Sequence, residues 1–124
     1  MAGSNMIRNK DEENALRSVW LGLVHFTGNP ENPILDGCLG VYTNATAKVN
    51  NLKDFEDAVR DAAEDLNLHL EEIDWAMPIL ERLKTYDIEN DIYENALDTA
   101  ETVGVNFSTF YGYLAIDEEE RDNS

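Results

Sequence analysis

The sequence predicts an α/β domain of the α+β kind: a two-layer sandwich in which a four-stranded mixed sheet, in the order ββαβαβ, carries two amphipathic helices on one face. Three observations predict it. Apolar residues recur at helical spacing over 52–66 and again over 89–103. They alternate at strand spacing in four other stretches, and a chain of 124 residues that is 43% hydrophobic can fill one core. Residues 18–114 are expected to form this single domain, between a flexible N-terminal segment, 1–17, and an acidic C-terminal tail, 115–124.

In chain order, Met1-Ala2-Gly3-Ser4-Asn5 reads as an expression remnant, with Met6 as the natural start. Asp11 to Leu16 suits a short helix with too few apolar positions to dock strongly. Ser18 to Phe26 is the first strand, with Val19, Leu21 and Leu23 on one side and Trp20, Val24 and Phe26 on the other. A strand apolar on both sides belongs at the centre of a sheet or under two covers. Gly28, Pro30 and Pro33 make Thr27 to Asp36 a loop. From Gly37 to Val49 runs a second strand whose core side is Leu39, Val41, Ala45, Ala47 and Val49. Its other side, Tyr42, Asn44, Thr46 and Lys48, is expected to meet water or a partner.

The most regular stretch is the helix from Leu52 to Leu66. Asn51 suits its N-cap, because the side chain can accept from free first-turn amides, and Asn67 suits the left-handed position that follows. Leu52, Phe55, Val59, Ala62, Ala63 and Leu66 form the inner stripe. Asp57, Asp61 and Glu64 point outward with Asp54 and Asp65 beside them, diluted by Lys53 and by pairs of Arg60 with Glu56 and Glu64. In the strand from Leu68 to Met77 the apolar parity slips between Leu68/Leu70 and Ile73/Trp75/Met77, which predicts a bulge near Glu71-Glu72. Ile79 to Tyr86 holds one or two helical turns. The second long helix, Glu89 to Val103, has Asp87 as its expected cap and Gly104 as its stop. It buries Ile92, Tyr93, Ala96, Leu97, Ala100 and Val103, and exposes Asp91, Glu94, Asp98 and Glu101. Val105 to Leu114 completes the sheet as one strand, with Val105, Phe107, Tyr111 and Tyr113 on one side.

Nine Lys and Arg against 26 Asp and Glu leave a net charge of −17, beyond the magnitude of roughly 2 to 8 usual for a small soluble domain. Direct binding to nucleic acid or an anionic membrane is disfavoured, since both need a positive footprint. A basic protein partner is favoured. The single Cys38 cannot form an intrachain disulfide, and no window approaches the roughly 20 apolar residues of a membrane span. With no export signal at the N-terminus, the expected location is cytoplasmic, and the sequons at Asn44 and Asn106 are then chance matches.

No nucleophile elbow, P-loop, dinucleotide-binding glycine pattern, paired zinc-ligand motif or EF-hand is present. No catalytic residue, metal ligand or cofactor is therefore expected, and the chain is not expected to be an enzyme. Gly37-Cys38-Leu39-Gly40 lacks the positive charge of a phosphate cradle. Cys38 reads as a small core residue and His25 as a hydrogen-bonded strand side chain rather than as a thiolate–imidazole pair. His69 and Glu71 read as an exposed pair. Glu71, Glu72 and Asp74 at the bulge read as a solvated edge, a divalent-metal enzyme built on them being the least favoured function.

The partner-binding residues predicted are Asp54, Asp57, Asp61, Glu64 and Asp65 of the first helix, Asp91, Glu94 and Asp98 of the second, and the strand aromatics Tyr42 and Trp75. Tyr and Trp beside acidic helices resemble an interface core with a charged rim. In size, charge and fold class the chain resembles the small acidic immunity proteins that bacteria pair with toxins. That resemblance implies an inhibitor that neutralises a basic partner, such as a nuclease toxin or nucleic-acid enzyme, by blocking its site. The alternative is a non-catalytic assembly protein, homodimeric through the open sheet face, whose charge serves solubility or high salt.

Overall fold

The computed structural model describes residues 9–102 and 104–113. These form α1 (Lys10–Leu16), β1 (Val19–Thr27), β2 (Gly40–Lys48), α2 (Leu52–Asp65), β3 (His69–Pro78), α3 (Ile79–Leu83), α4 (Asn90–Glu101), β4 (Val105–Phe107) and β5 (Tyr111–Tyr113). The class is α+β. The sheet is open, five-stranded and antiparallel in every pair, in the order β3-β1-β2-β4, with β5 paired to the other half of the β2 edge. The expected mixed, four-stranded sheet is corrected accordingly. The extra strand arises because Val105 to Tyr113 is not continuous. The Ser108 amide bonds to the Asn44 carbonyl (3.0 Å) and Thr43 Oγ1 donates to the Ser108 carbonyl (3.1 Å), breaking the run. Phe107 then pairs with Ala45 but Tyr111 with Tyr42, so the two side chains expected on one side point to opposite faces.

β1 is the central strand, as its two apolar sides require. Trp20 pairs with Ala47 and Leu21 with Thr46, in a register unbroken along the whole strand. On the Trp20 face lies α2: its Phe55 ring sits 6.3 Å from that of Trp20, and a Cβ on Gly22 would stand 2.8 Å from Phe55 Cζ. On the Leu21 face lies α4: Thr99 Oγ1 is 2.7 Å from Thr46 Oγ1, and Lys48 Nζ donates to the Ala100 carbonyl at 3.2 Å. The two amphipathic helices thus take opposite faces, which corrects the expectation of one shared face. Two cores result. Val24, Phe26, Val41, Phe55 and Val59 anchor the first; Leu16, Val19, Leu21, Ile79 and Tyr93 anchor the second.

The second core also recruits α1. Leu16 is fully buried and Tyr93 Oη donates to Glu12 Oε1 at 2.7 Å, so residues 10–16, expected within a flexible segment, are docked structure. Residues 1–8, Val103, Leu114 and the expected tail 115–124 lie outside the described residues.

Local signals place the remaining elements. Asn51 Oδ1 accepts from the Asp54 amide at 2.8 Å, and Asn67 takes φ 61° after α2. α4 starts later than expected, with Glu89 rather than Asp87 at the N-cap and no side-chain cap bond. β3 carries two irregularities, between the partners of Leu23/Val24 and of His25/Phe26, which leave Asp74 and Glu71 as extra residues. They bring Leu70, Ile73 and Ala76 onto the α2 face, and they twist an acidic edge strand away from stray pairing. No helix among the described residues is long and apolar enough to cross a membrane.

Candidate interaction face

The helices α1, α3 and α4 cover only one end of their sheet face. Val19 and Leu21 are buried beneath them, whereas Leu23, His25, Tyr42 and Asn44, farther along the same side of β1 and β2, are half-buried with no helix of the described residues above. Strand register adds Glu72 and Trp75 from β3 and Tyr111 and Tyr113 from β5. The result is an aromatic half-face that no helix of the described residues covers.

His25 organises its centre. Its ring stacks on Tyr42 (centroids 4.4 Å apart, planes 13° apart), and Nε2 lies 2.7 Å from Tyr113 Oη. Tyr113 reaches that position because its partner in β2 is Gly40, where a Cβ would stand 2.5 Å from the phenol oxygen. Across the other ladder His25 faces Glu72. The Glu72 carboxyl is held above its usual range, first by a hydrogen bond with Asp74 and then by that neighbour's charge, with a lesser contribution from desolvation; His25 pulls the other way. His25 is thus paired with Tyr113, and Cys38 sits half-buried against Gly112.

Trp75, across from Leu23, lies beneath Arg82. The guanidinium carbon is 4.0 Å from the Trp75 centroid and 4.1 Å from that of Tyr86, and among the described residues no carboxylate lies within 4 Å of it. Cation–π contact takes the place of an ion pair. Between this clamp and the start of α4 opens a cleft of about 370 Å³, floored by Leu21 and Asn44 and walled by Trp75, Tyr111, Asp87 and Glu89. Tyr111, 58% exposed, stands at its edge.

The structure divides the predicted partner-binding residues. Tyr42 and Trp75 share the aromatic half-face, and Asp91, Glu94 and Asp98 are exposed on α4 on the same side of the sheet. Asp54, Asp57, Asp61, Glu64 and Asp65 are exposed on α2, on the opposite side. There Lys53 pairs with Asp57 (3.4 Å), and Arg60 with Glu56 (2.8 Å) and Asp57 (3.9 Å). The expected Glu64 pair is replaced by the Asp57 one. His69 and Glu71 are 3.8 Å apart on the exposed edge, and Glu71 also accepts from Thr27 Oγ1 at 2.8 Å. Sequence reasoning missed Arg82, Glu89 and the His25–Tyr113 bond. The alternation Tyr111-Gly112-Tyr113 signalled that two aromatics share a face, but nothing local signalled which face.

Chemically this surface offers ring faces, phenol hydroxyls and an acidic border. Among the described residues no group of three or more His, Cys, Asp or Glu converges as a metal site would require. Comparison with protein-family models, with curated proteins and with solved structures returns no match.

Proposed function

We propose that the protein is a binding module that docks a basic protein surface onto the aromatic half-face, and that it acts as an inhibitor of that partner, a nuclease toxin or a nucleic-acid enzyme being the class its charge suits. One observation supports this above others: a sheet face that presents Tyr42 and Tyr111 with no helix of the described residues over them, bordered by Glu72, Asp74, Asp87 and Glu89, in a chain of net charge −17. Aromatic anchors supply dwell time once water is excluded from them, while the acidic border raises the encounter rate toward about 10⁸–10⁹ M⁻¹s⁻¹ at low salt.

The test is capture of host proteins on the immobilised chain at low salt with stepwise salt elution, run beside a Tyr111→Ala column. A stoichiometric basic protein that the wild type holds and the variant loses supports the reading. An empty column, or equal capture by both, overturns it. Sedimentation over a concentration series tests the alternative, burial of this face in a homodimer, which predicts a dimer that Tyr111→Ala dissociates.

A further inference from the structure

On the α2 side of the sheet a groove of about 620 Å³ runs between α2 and β4. Its origin is geometric. The buried stripe Phe55, Val59 and Ala63 seats α2 chiefly over β3 and β2, so that α2 meets β4 only along its flank and, among the described residues, no second helix lies beside it there. Ala58, Ala62 and Leu66 form one wall, and Val49, Val105 and Phe107 the other, all of them half-buried.

We infer that this groove docks a basic amphipathic helix of a partner protein, laid beside α2 over β4. The wall from Ala58 to Leu66 spans about two turns, or about 12 Å. Alanines at i and i+4 allow a second helix to approach to the usual axial separation of about 8–10 Å. That helix would complete the layer that α2 only half covers, burying its apolar stripe on Val105 and Phe107.

Charge selects the occupant. Asp61 and Asp65, also i and i+4, line the groove, and among the described residues no Lys, Arg or His lies within 4 Å of either. Lys48 is the one cation of the lining, and its ammonium is bonded to the Ala100 carbonyl on the other side of the sheet. The helix that fits carries Lys or Arg along one flank. A second copy of this chain, at −17, and its own segment 115–124, with Asp117, Glu118, Glu119, Glu120 and Asp122 against Arg121, have the wrong sign. The site lies across the sheet from the aromatic half-face and does not depend on the reading given for that face.

The experiment is a titration of the ¹⁵N-labelled full chain with a helical peptide of about 14 residues made only of Leu and Lys, in about 0.1 M salt, where distant surface charges are screened. Expected are shift changes concentrated at Ala58, Ala62, Val105 and Phe107. The double variant Asp61→Asn/Asp65→Asn should weaken binding about three- to tenfold, and Asp98→Asn on α4 should leave it within about twofold. Ala62→Trp, which fills the groove, should weaken it further. If that variant unfolds, the aspartate pair, both exposed, still decides. Shifts spread equally over α4, equal weakening by Asp98→Asn, or no binding would each overturn the inference.

Discussion

The hydroxyls of Thr46 and Thr99 stand 2.7 Å apart, and both residues are buried. This contact pins α4 to the side of β2 that alternates Tyr42, Asn44, Thr46 and Lys48. It divides that side in two: the Thr46 half is sealed under a helix through hydroxyl bonding, and the Tyr42 half has no helix of the described residues over it.

Thr99 is the hub of the seal. Its Oγ1 donates to the Asn95 carbonyl at 2.8 Å and accepts from Asn106 Nδ2 at 2.7 Å, besides meeting Thr46. Thr99→Val leaves buried partners unsatisfied, at a cost of about 1–3 kcal/mol, whereas Thr46→Val should cost about 1 kcal/mol. The double variant should cost less than the sum, because the two singles break one shared bond. Urea unfolding of the three variants checks this; strict additivity would mean that the pair does not interact.

Gly22 lies where α2 meets the centre of the sheet. A Cβ there would stand 2.8 Å from both Phe55 Cζ and the Trp75 carbonyl oxygen, and the backbone oxygen cannot move aside cheaply. Gly22→Ala should therefore destabilise the fold by about 1–3 kcal/mol through overpacking. Thermal unfolding reads the loss, and a Tm equal to or above wild type would show that α2 sits farther from β1 than described.

Glu72 and Asp74 predict a pH dependence. The folded-state pKa of Glu72 is raised, chiefly by its hydrogen bond with Asp74, so the fold prefers the protonated form. Its stabilising contribution is fully present below the unfolded carboxyl range and is lost as pH rises through the folded value. Both groups are exposed, so the effect is screened and modest. Asp74→Asn should bring Glu72 back toward its ordinary value in an NMR titration, and it should shrink the loss of stability as pH rises above the ordinary carboxyl range. An unmoved Glu72 titration would remove Asp74 as the cause.

Local chemistry was well written in the sequence. The cap at Asn51, the left-handed Asn67 and the parity slip in β3 each follow from a few neighbouring residues, and each stands in the structure; of the expected α2 stripe Phe55, Val59 and Ala63 are buried, Ala62 and Leu66 half-buried, and Leu52, in the first turn, is 53% exposed. The assignment of faces was less legible. β1 announced two covers through Val19, Leu21 and Leu23 against Trp20, Val24 and Phe26, but Thr46 and Lys48 made the other side of β2 look wet. A buried Thr–Thr bond and a lysine bonded to a helix-end carbonyl read as polar in any sequence, since burial of a satisfied polar group leaves no hydropathy signal. The candidate site was half visible for the same reason. Tyr42 and Trp75 could be named, but their separation from the α2 carboxylates depends on which face each helix takes.

That separation makes charge reversal informative for docking on the aromatic half-face. The outer side of α2 is about 15–20 Å from the opposite face of the sheet, taking a helix and a sheet layer at about 10 Å each. The screening length at physiological salt is about 8 Å. Replacing Asp57, Asp61 and Glu64 with Lys should therefore slow association of a basic partner at that face only at low salt. Neutralising Asp87 and Glu89, which wall the aromatic cleft, should slow it by about three- to tenfold at physiological salt and flatten the salt dependence. Stopped-flow association of the two variants decides the matter. If the α2 reversal has the larger effect at physiological salt, the partner meets the other side of the sheet, and the aromatic half-face is not where it docks.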